Sequence, residues 1–403
     1  MKIKLLRNAL FFTAAVCGVI SAQSTLGLEY PTGIPIIPSA GPSLSLARTG
    51  VGIQNDFLAM SRNPANLGIV QRAVFTSVLS YDLPSIHDKG KTSTQQFFNP
   101  QLLSFAFPLG KYGAFGLSID QRSITDLKFH VNSDTVVDGK KYSQEIGKIR
   151  KGGIVSWQAG YGYSFKKYAR LGLTYERIYF TDRLTNSKQV TGDNTNTLYD
   201  STEVVFRGNG IRGGIMIPYN KFTGGISGEY IFLDQATQSK VVTNGEKTTS
   251  TEKFDFKPAP SLSFGGSYQF SPQWLAAADM DITFWKEFYS QLGTAKTLDN
   301  AISVSAGGQY IIAPNLLAPK YYEIIQYRAG VRFTQMPVST ASEFAVNLGL
   351  GLPLQQGGSM FDINFEYGKR TDSHYKKYSE DYFSIQLGIN GGRKWYQSSG
   401  ASY

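Results

Sequence analysis

The sequence predicts an all-β fold: a transmembrane antiparallel β-barrel of about fourteen strands with an N-terminal hatch, or plug. Three observations carry this. Segments of about ten residues with strict apolar–polar alternation recur from residue 72 onward. The spacers between them alternate between long and tight. A proline- and glycine-rich apolar stretch precedes the first alternating segment.

The alternation is clearest at 274–284. Trp274, Ala276, Ala278, Met280, Ile282 and Phe284 share one face; Leu275, Ala277, Asp279, Asp281 and Thr283 share the other. One face is wholly apolar with an aromatic at each end, and the other turns polar. Ten residue steps of about 3.3 Å, tilted by about 40°, rise roughly 25 Å, the height of the lipid-facing band of an outer-membrane barrel. Interfacial aromatics belong at its two rims. The same pattern places Tyr327, Ala329, Val331 and Phe333 outward and Arg328, Gly330 and Arg332 inward. A soluble sandwich also alternates, but its strands are shorter and its outward face is the polar one.

Fourteen such segments fall at 72–81, 101–108, 112–121, 153–165, 170–180, 203–217, 222–232, 261–270, 274–285, 301–311, 324–334, 343–353, 360–368 and 382–390. The odd spacers are mostly long and rich in Asn, Thr, Ser, Asp and Lys. The even ones are mostly tight, with residues 312–323 the exception. Long loops on one rim, short turns on the other and an even strand number put both termini in the periplasm. A solenoid is the structural rival, but no repeat of fixed period is present.

The N-terminus reads as an export signal over residues 1–22. Lys2, Lys4 and Arg7 precede an apolar run at 9–20, and Ser21-Ala22 offers small residues for cleavage before Gln23. A retained N-terminal anchor is the alternative. The one cysteine, Cys17, lies in this segment. Ala14 and Val16 stand where a lipidated cysteine wants a Leu-like and a small residue. The rest of the chain has no thiol for disulfides or metal sites. No later apolar run reaches the roughly 18 to 20 residues of a membrane helix.

The net charge is +10; without the three basic residues of the signal it is +7, from 37 basic and 30 acidic residues. These charges are scattered, so no nucleic-acid-binding arm is expected.

Residues 23–71 do not fit the strand pattern. They carry Pro31, Pro35, Pro38 and Pro42, yet Ile34, Ile36, Ile37, Leu44, Leu46, Phe57, Leu58 and Met60 make them too apolar for a free tail. A segment that begins on the periplasmic side finds its natural cover in the barrel's interior. The expected domains are therefore a hatch over 23–71 and a barrel over 72–403. Pro64 fixes one backbone angle and biases Asn63 away from the helical region, which reads as a rigid turn.

Here the sequence resembles a known family. Ala47-Arg48-Thr49-Gly50-Val51-Gly52, then Ser61-Arg62-Asn63-Pro64-Ala65, is similar to the N-terminal hatch of FadL/TodX-type outer-membrane transporters of long-chain fatty acids and other hydrophobic compounds. Asn55-Asp56 stands where that family has a short polar turn. Asn63, Pro64 and Ala65 match its Asn-Pro-Ala element residue by residue, over some twenty residues of specific motif. The resemblance implies a fourteen-stranded barrel plugged by the hatch in a Gram-negative outer membrane, among its lipids and lipopolysaccharide. It implies that an apolar ligand is captured among the outer loops, passes to the upper lumen and exits sideways as the hatch shifts. It thereby gives Asn63, Pro64 and Ala65 a gating role. The related outer-membrane component of the Bacteroidetes-type (type IX) secretion machinery shares the fold and a similar Asn-Pro element. A role beside secretion proteins is thus the alternative. The ending Ile389-Asn390-Gly391-Gly392-Arg393-Lys394-Trp395-Tyr396 looks like barrels of that group.

A fatty acid gains about 0.8 kcal/mol per buried methylene, so it should pass between apolar pockets and avoid a water-filled pore. The inward Arg328 and Arg332 are candidates to hold a ligand carboxylate; a lumen charge network that stiffens the wall is the alternative for the same residues.

No cofactor, metal or enzymatic chemistry is expected. Gly208-Asn209-Gly210-Ile211-Arg212-Gly213 fits GxGxxG but lies in a strand segment with no helix after it. Gly90-Lys91-Thr92 has Ser85 where a P-loop needs glycine. His87, His130 and His374 fall in three predicted loops without ligand spacing. No GxSxG is present. Asp279 and Asp281 share a face, as paired lumen carboxylates often do without catalysis.

Overall fold

The computed structural model describes residues 32–88, 91–125, 127–137, 140–166, 168–191, 196–244, 246–254, 256–287, 289–290, 298–337, 340–355, 358–373 and 378–393. The signal segment, residues 23–31 with Pro31, His374 and the 394–396 part of the basic-aromatic ending lie outside them.

Fourteen antiparallel strands close the wall: β1 (Ala73–Asp88), β2 (Phe97–Pro108), β3 (Ala114–Gln121), β4 (Lys140–Phe165), β5 (Ala169–Thr191), β6 (Asn196–Tyr219), β7 (Phe222–Asn244), β8 (Ser261–Gln269), β9 (Trp274–Thr283), β10 (Ala301–Ile311), β11 (Gln326–Gln335), β12 (Ala341–Gln355), β13 (Ser359–Asp372) and β14 (Tyr378–Arg393). β1 pairs with β14, Ala73 opposite Arg393, so no edge strand is left in the wall. Every one of the fourteen alternating segments falls on one of these strands.

The difference from expectation lies above the membrane band. Several spacers expected as loops continue the ladder instead. β4 and β5 pair from Ser164↔Arg170 out to Ser143↔Thr191, and β6 and β7 from Tyr219↔Phe222 out to Tyr199↔Thr243. The shorter strands Leu127–Val137 and Glu246–Lys253 join this rim. The reason is local. Threonines recur through these spacers with valines among them, and both residue types suit a pleated ribbon. An antiparallel ladder already started also propagates at little cost. His87 lies in β1, not in a loop, with its ring 3.1 Å from Asp381 of β14. His130 lies in the strand Leu127–Val137.

Inward and outward faces alternate as expected. In β11, Arg328, Gly330 and Arg332 are buried while Ala329, Val331 and Phe333 are exposed. The Gly208–Gly213 stretch lies wholly within β6.

Two apolar clusters lie between the wall and residues 40–70, and another, of Ile178, Phe180, Phe206, Ala236 and Phe254, lies among β5, β6, β7 and the chain that follows them. Leu44, Leu46, Ile53 and Leu58 pack with Val78 of β1, Leu102 of β2 and Ala277 of β9. Phe57, Ala59, Met60 and Leu67 pack with Val74, Ala106 and Ala114. Most residues from Ser39 to Leu67 are buried. Their contacts reach strands on every side of the barrel: Arg48 to β13, Thr49 to β10, Gln54 to β7 and Gly68 to β4.

Candidate functional site

The segment that bears the Asn-Pro-Ala element is fixed by its own local chemistry first. Asn63 is extended (φ −141°, ψ 116°), as a residue before proline prefers. Its Oδ1 accepts from Ala65 N at 3.0 Å, capping the 3₁₀ helix Pro64–Ile69, with Pro64 in the first turn where its missing N–H costs nothing. Asn55 caps the preceding turn, Asp56–Leu58, in the same way, accepting from Phe57 N at 2.9 Å. Asp56 then pairs with Arg72 at 2.6 Å, where the chain enters β1.

The amide of Asn63 does more than cap. Its Nδ2 donates to Val51 O at 3.0 Å and to Ile215 O of β6 at 3.1 Å. One buried side chain thus joins the helix turn, the glycine stretch and the wall. Next to it, Arg62 reaches β9, where its Nη2 lies 3.1 Å from Asp279 and 2.9 Å from Asp281. Burial opposes the charge on Arg62, but Asp281 and Asp279 outweigh it and hold the guanidinium above its ordinary pKa. Asp279 Oδ2 also accepts from Gly50 N at 2.7 Å and Val51 N at 2.9 Å. The glycines of this stretch answer to packing: a Cβ at Gly50 would press on Arg62 and Ser43, and one at Gly52 would overlap the backbone of Gly266 and Thr223 in the wall.

The wall answers with glycines of its own. A Cβ at Gly172 of β5 would overlap the Pro64 carbonyl, one at Gly214 of β6 would overlap Asn63 and Pro64, and one at Gly225 of β7 would overlap Val51 O. The inward glycines are the seat of the Asn-Pro-Ala element.

Two cavities lie beyond this seat, with Pro35, Ile36 and Ile37 lining both. One, of about 170 Å³, is lined by Trp285, Met336 and Pro84 and by the charged group Arg48, Arg332, Arg370, Glu343 and Glu366. The other, of about 190 Å³, has Ile154, Ile178, Ile231 and Ile282 beside Arg122, Arg212 and Glu229. Arg332 therefore faces a cavity, while Arg328 lines neither. Both are engaged by carboxylates: Arg328 with Asp362, and Arg332 with Glu343 at 2.9 Å and Glu366 at 2.8 Å. Arg48, which sequence reasoning did not single out, completes this group with Glu366 at 3.0 Å.

Among the described residues, the ladder between β2 and β3 stops short beside the second cavity. β2 pairs with β3 only from Leu102↔Asp120 to Pro108↔Ala114. Beyond Gln121 the chain stays bonded to β4 (Arg122 N to Ile154 O, 2.8 Å), but its other edge turns to Ile34–Pro35. Ile34 stands opposite Ile124, and Ile36 N donates to Arg122 O at 2.8 Å. The N-terminal segment takes the place of β2 as the partner of the third strand. Nothing in the sequence of 122–125 signals this, because a strand's partner is decided across the fold.

Among solved structures, the toluene transporter TodX of Pseudomonas putida superposes with a TM-score of 0.62 at 14% identity, covering 89% of this chain and 100% of that one. The toluene transporter TbuX of Ralstonia pickettii gives 0.60 at 14%, covering 88% and 98%. A FadL homologue of Pseudomonas aeruginosa gives 0.59 at 12%, covering 89% and 99%. The chain has a FadL-like outer-membrane barrel fold. A family model described as BamG matches residues 227–400, which hold β8 to β14 and most of β7. No curated protein matches the sequence. Among the described residues no group of three or more His, Cys, Asp or Glu is placed to hold a metal.

Proposed function

We propose that the protein carries hydrophobic small molecules across the outer membrane, with residues 32–71 as a hatch and the break after β3 as a sideways exit. The observation that carries this reading is the pairing of Ile34–Pro35 with Ser123–Ile124. A hatch segment that substitutes for a wall strand links the two events a plugged transporter must couple: moving the hatch and opening the wall. The apolar lining beside the break, Ile154, Ile178 and Ile231, suits a ligand that avoids water. Asn63, Pro64 and Ala65 serve as the fixed point against which the Ile34–Pro35 strand moves.

The charge arrangement favours neutral ligands over fatty acids. To hold a ligand carboxylate, Arg332 would have to loosen its bonds to Glu343 and Glu366, leaving them to Arg370 and Arg48 alone and adding a third negative charge to a buried group. We assign Arg332 a place at the edge of the ligand chamber and Arg328 a place within the wall.

The test is uptake into proteoliposomes of radiolabelled toluene and, separately, of a long-chain fatty acid. Expected is saturable toluene entry, weaker fatty-acid entry and loss of both when Ile34 and Ile124 are replaced by cysteines and oxidised. Entry indistinguishable from empty liposomes for every apolar compound would sink the proposal. Stoichiometric co-purification of secretion subunits would favour the alternative, a barrel that works as a partner of a protein secretion machine.

A further inference from the structure

Six connections join the strands at the rim where β1 begins. Five are tight: the residues between β2 and β3, β4 and β5, β6 and β7, β8 and β9, and β12 and β13 number five at most. The sixth, residues 312–325 between β10 and β11, is far longer. It carries Leu316 and Leu317 at 58% and 105% of full exposure, with Tyr321 and Tyr322 about half exposed. Leu316 and Leu317 with Tyr321 and Tyr322 gather exposed apolar surface in one short loop, and such a patch marks an interaction or membrane site.

The direction of the loop says which. Tyr327 lies on the outward face of β11, with Ala329 and Val331. Its hydroxyl donates to Tyr322 O at 3.2 Å, so the loop bends over the outside of the wall and not across the lumen mouth. Ala313 N donates to Glu323 O at 2.9 Å and closes the loop's neck. The loop leaves the wall one row below the outward aromatic pair Trp274–Tyr310, whose rings lie 4.5 Å apart. It is therefore continuous with the lipid-facing surface at the level where an aromatic girdle marks the bilayer interface.

The rest of the rim has the same chemistry. Lys111 lies 5.2 Å from the Tyr112 ring in the β2–β3 turn, and Lys320 lies 6.0 Å from the Tyr322 ring in this loop. Exposed tyrosines beside lysines recur at Tyr219 and Lys221. An aromatic body at headgroup depth with a cation above it is the arrangement that interfacial anchors use, and the cations meet anionic headgroups.

We propose that residues 312–325 form a lipid-inserted anchor, with Leu316 and Leu317 buried among the acyl chains of the periplasm-facing leaflet and Lys320 at its phosphates. The occupant is the bilayer itself. The anchor rests on the outer-membrane orientation of the barrel and is independent of what the lumen carries. It fixes the depth of β10 and β11 in the membrane.

The experiment uses the full-length protein with Cys17→Ser and a single Leu317→Cys, labelled with a bimane and placed in vesicles of phosphatidylethanolamine and phosphatidylglycerol. Lys286→Cys, exposed on the opposite rim, serves as the aqueous control. Expected is a blue shift of the Leu317→Cys label from detergent-free buffer values and strong quenching when the acyl chains carry bromine, with neither change at Lys286→Cys. Charge reversal by Lys320→Glu should weaken the quenching in phosphatidylglycerol vesicles while leaving the heat-modifiable gel shift intact. A Leu317→Cys label that stays water-like and unquenched overturns the proposal. So does a label shielded only in native membranes by a co-purifying protein, because the occupant is then a protein.

Discussion

Arg62 and Asp279 form a buried ion pair at 3.1 Å that ties the residue before the Asn-Pro-Ala element to β9. The two are 217 positions apart in sequence, and the same carboxylate oxygen accepts from Gly50 N and Val51 N. Asp279 thus ties β9 to the 50–62 segment through a guanidinium and two backbone amides. Removing one member of a buried pair leaves an uncompensated charge and typically costs about 3 to 5 kcal/mol. Arg62→Leu is expected to lower the temperature of the heat-modifiable gel shift more than Asp279→Leu does, because it takes the shared cation from Asp279 and Asp281 together. Asp279→Leu strands the amides of Gly50 and Val51 but leaves Arg62 bonded to Asp281 at 2.9 Å. Equal effects of the two substitutions would contradict this ranking.

Asn63 supports two functions that substitution can separate. Asn63→Ala removes the cap, worth about 1 kcal/mol, together with the bonds to Val51 O and Ile215 O. Asn63→Asp keeps the cap but sets a carboxylate against those two carbonyls. The aspartate variant should therefore be the more damaging. Conductance in planar bilayers and protease sensitivity of the 40–70 region are the measurements, and a milder aspartate variant would show that the cap dominates.

The glycine seat makes a paired test. Gly214→Ala drives a methyl into Asn63 and Pro64, while Gly213→Ala next to it meets nothing within 4 Å. The first should raise leakage of small solutes from proteoliposomes and the second should not. Both retain β6, so circular dichroism in detergent should match for the two.

The strand break supplies a reversible lock. Ile34→Cys with Ile124→Cys joins residues that face each other in register. Oxidation should stop uptake of hydrophobic compounds and a reductant should restore it, each single variant remaining active. Unchanged uptake after verified cross-linking would mean that this pairing does not move.

The strand pattern was legible because a barrel wall is an alternation problem. Each strand must be apolar toward lipid on one side, so Val331 and Phe333 against Arg328 and Arg332 identify their faces without knowledge of any partner. The same logic holds for Asn63 and Pro64, whose extended backbone and cap follow from steric and hydrogen-bonding rules within four residues. The long hairpins above the band were not legible because these Thr-, Lys- and Asp-rich stretches carry no sustained apolar–polar alternation.

By itself, then, the sequence determined the number of wall strands, which face of each meets lipid, and the rigid turn at Asn63-Pro64. Local preference and period suffice for those. Only the tertiary structure decided that Arg62 answers Asp279, that Arg328 and Arg332 are already engaged by carboxylates, and that Ile34–Pro35 stands in for β2 beside the third strand. Each of these joins residues far apart in the chain. Which charge meets which, and which edge finds which strand, is settled by the closure of the barrel around its N-terminal segment.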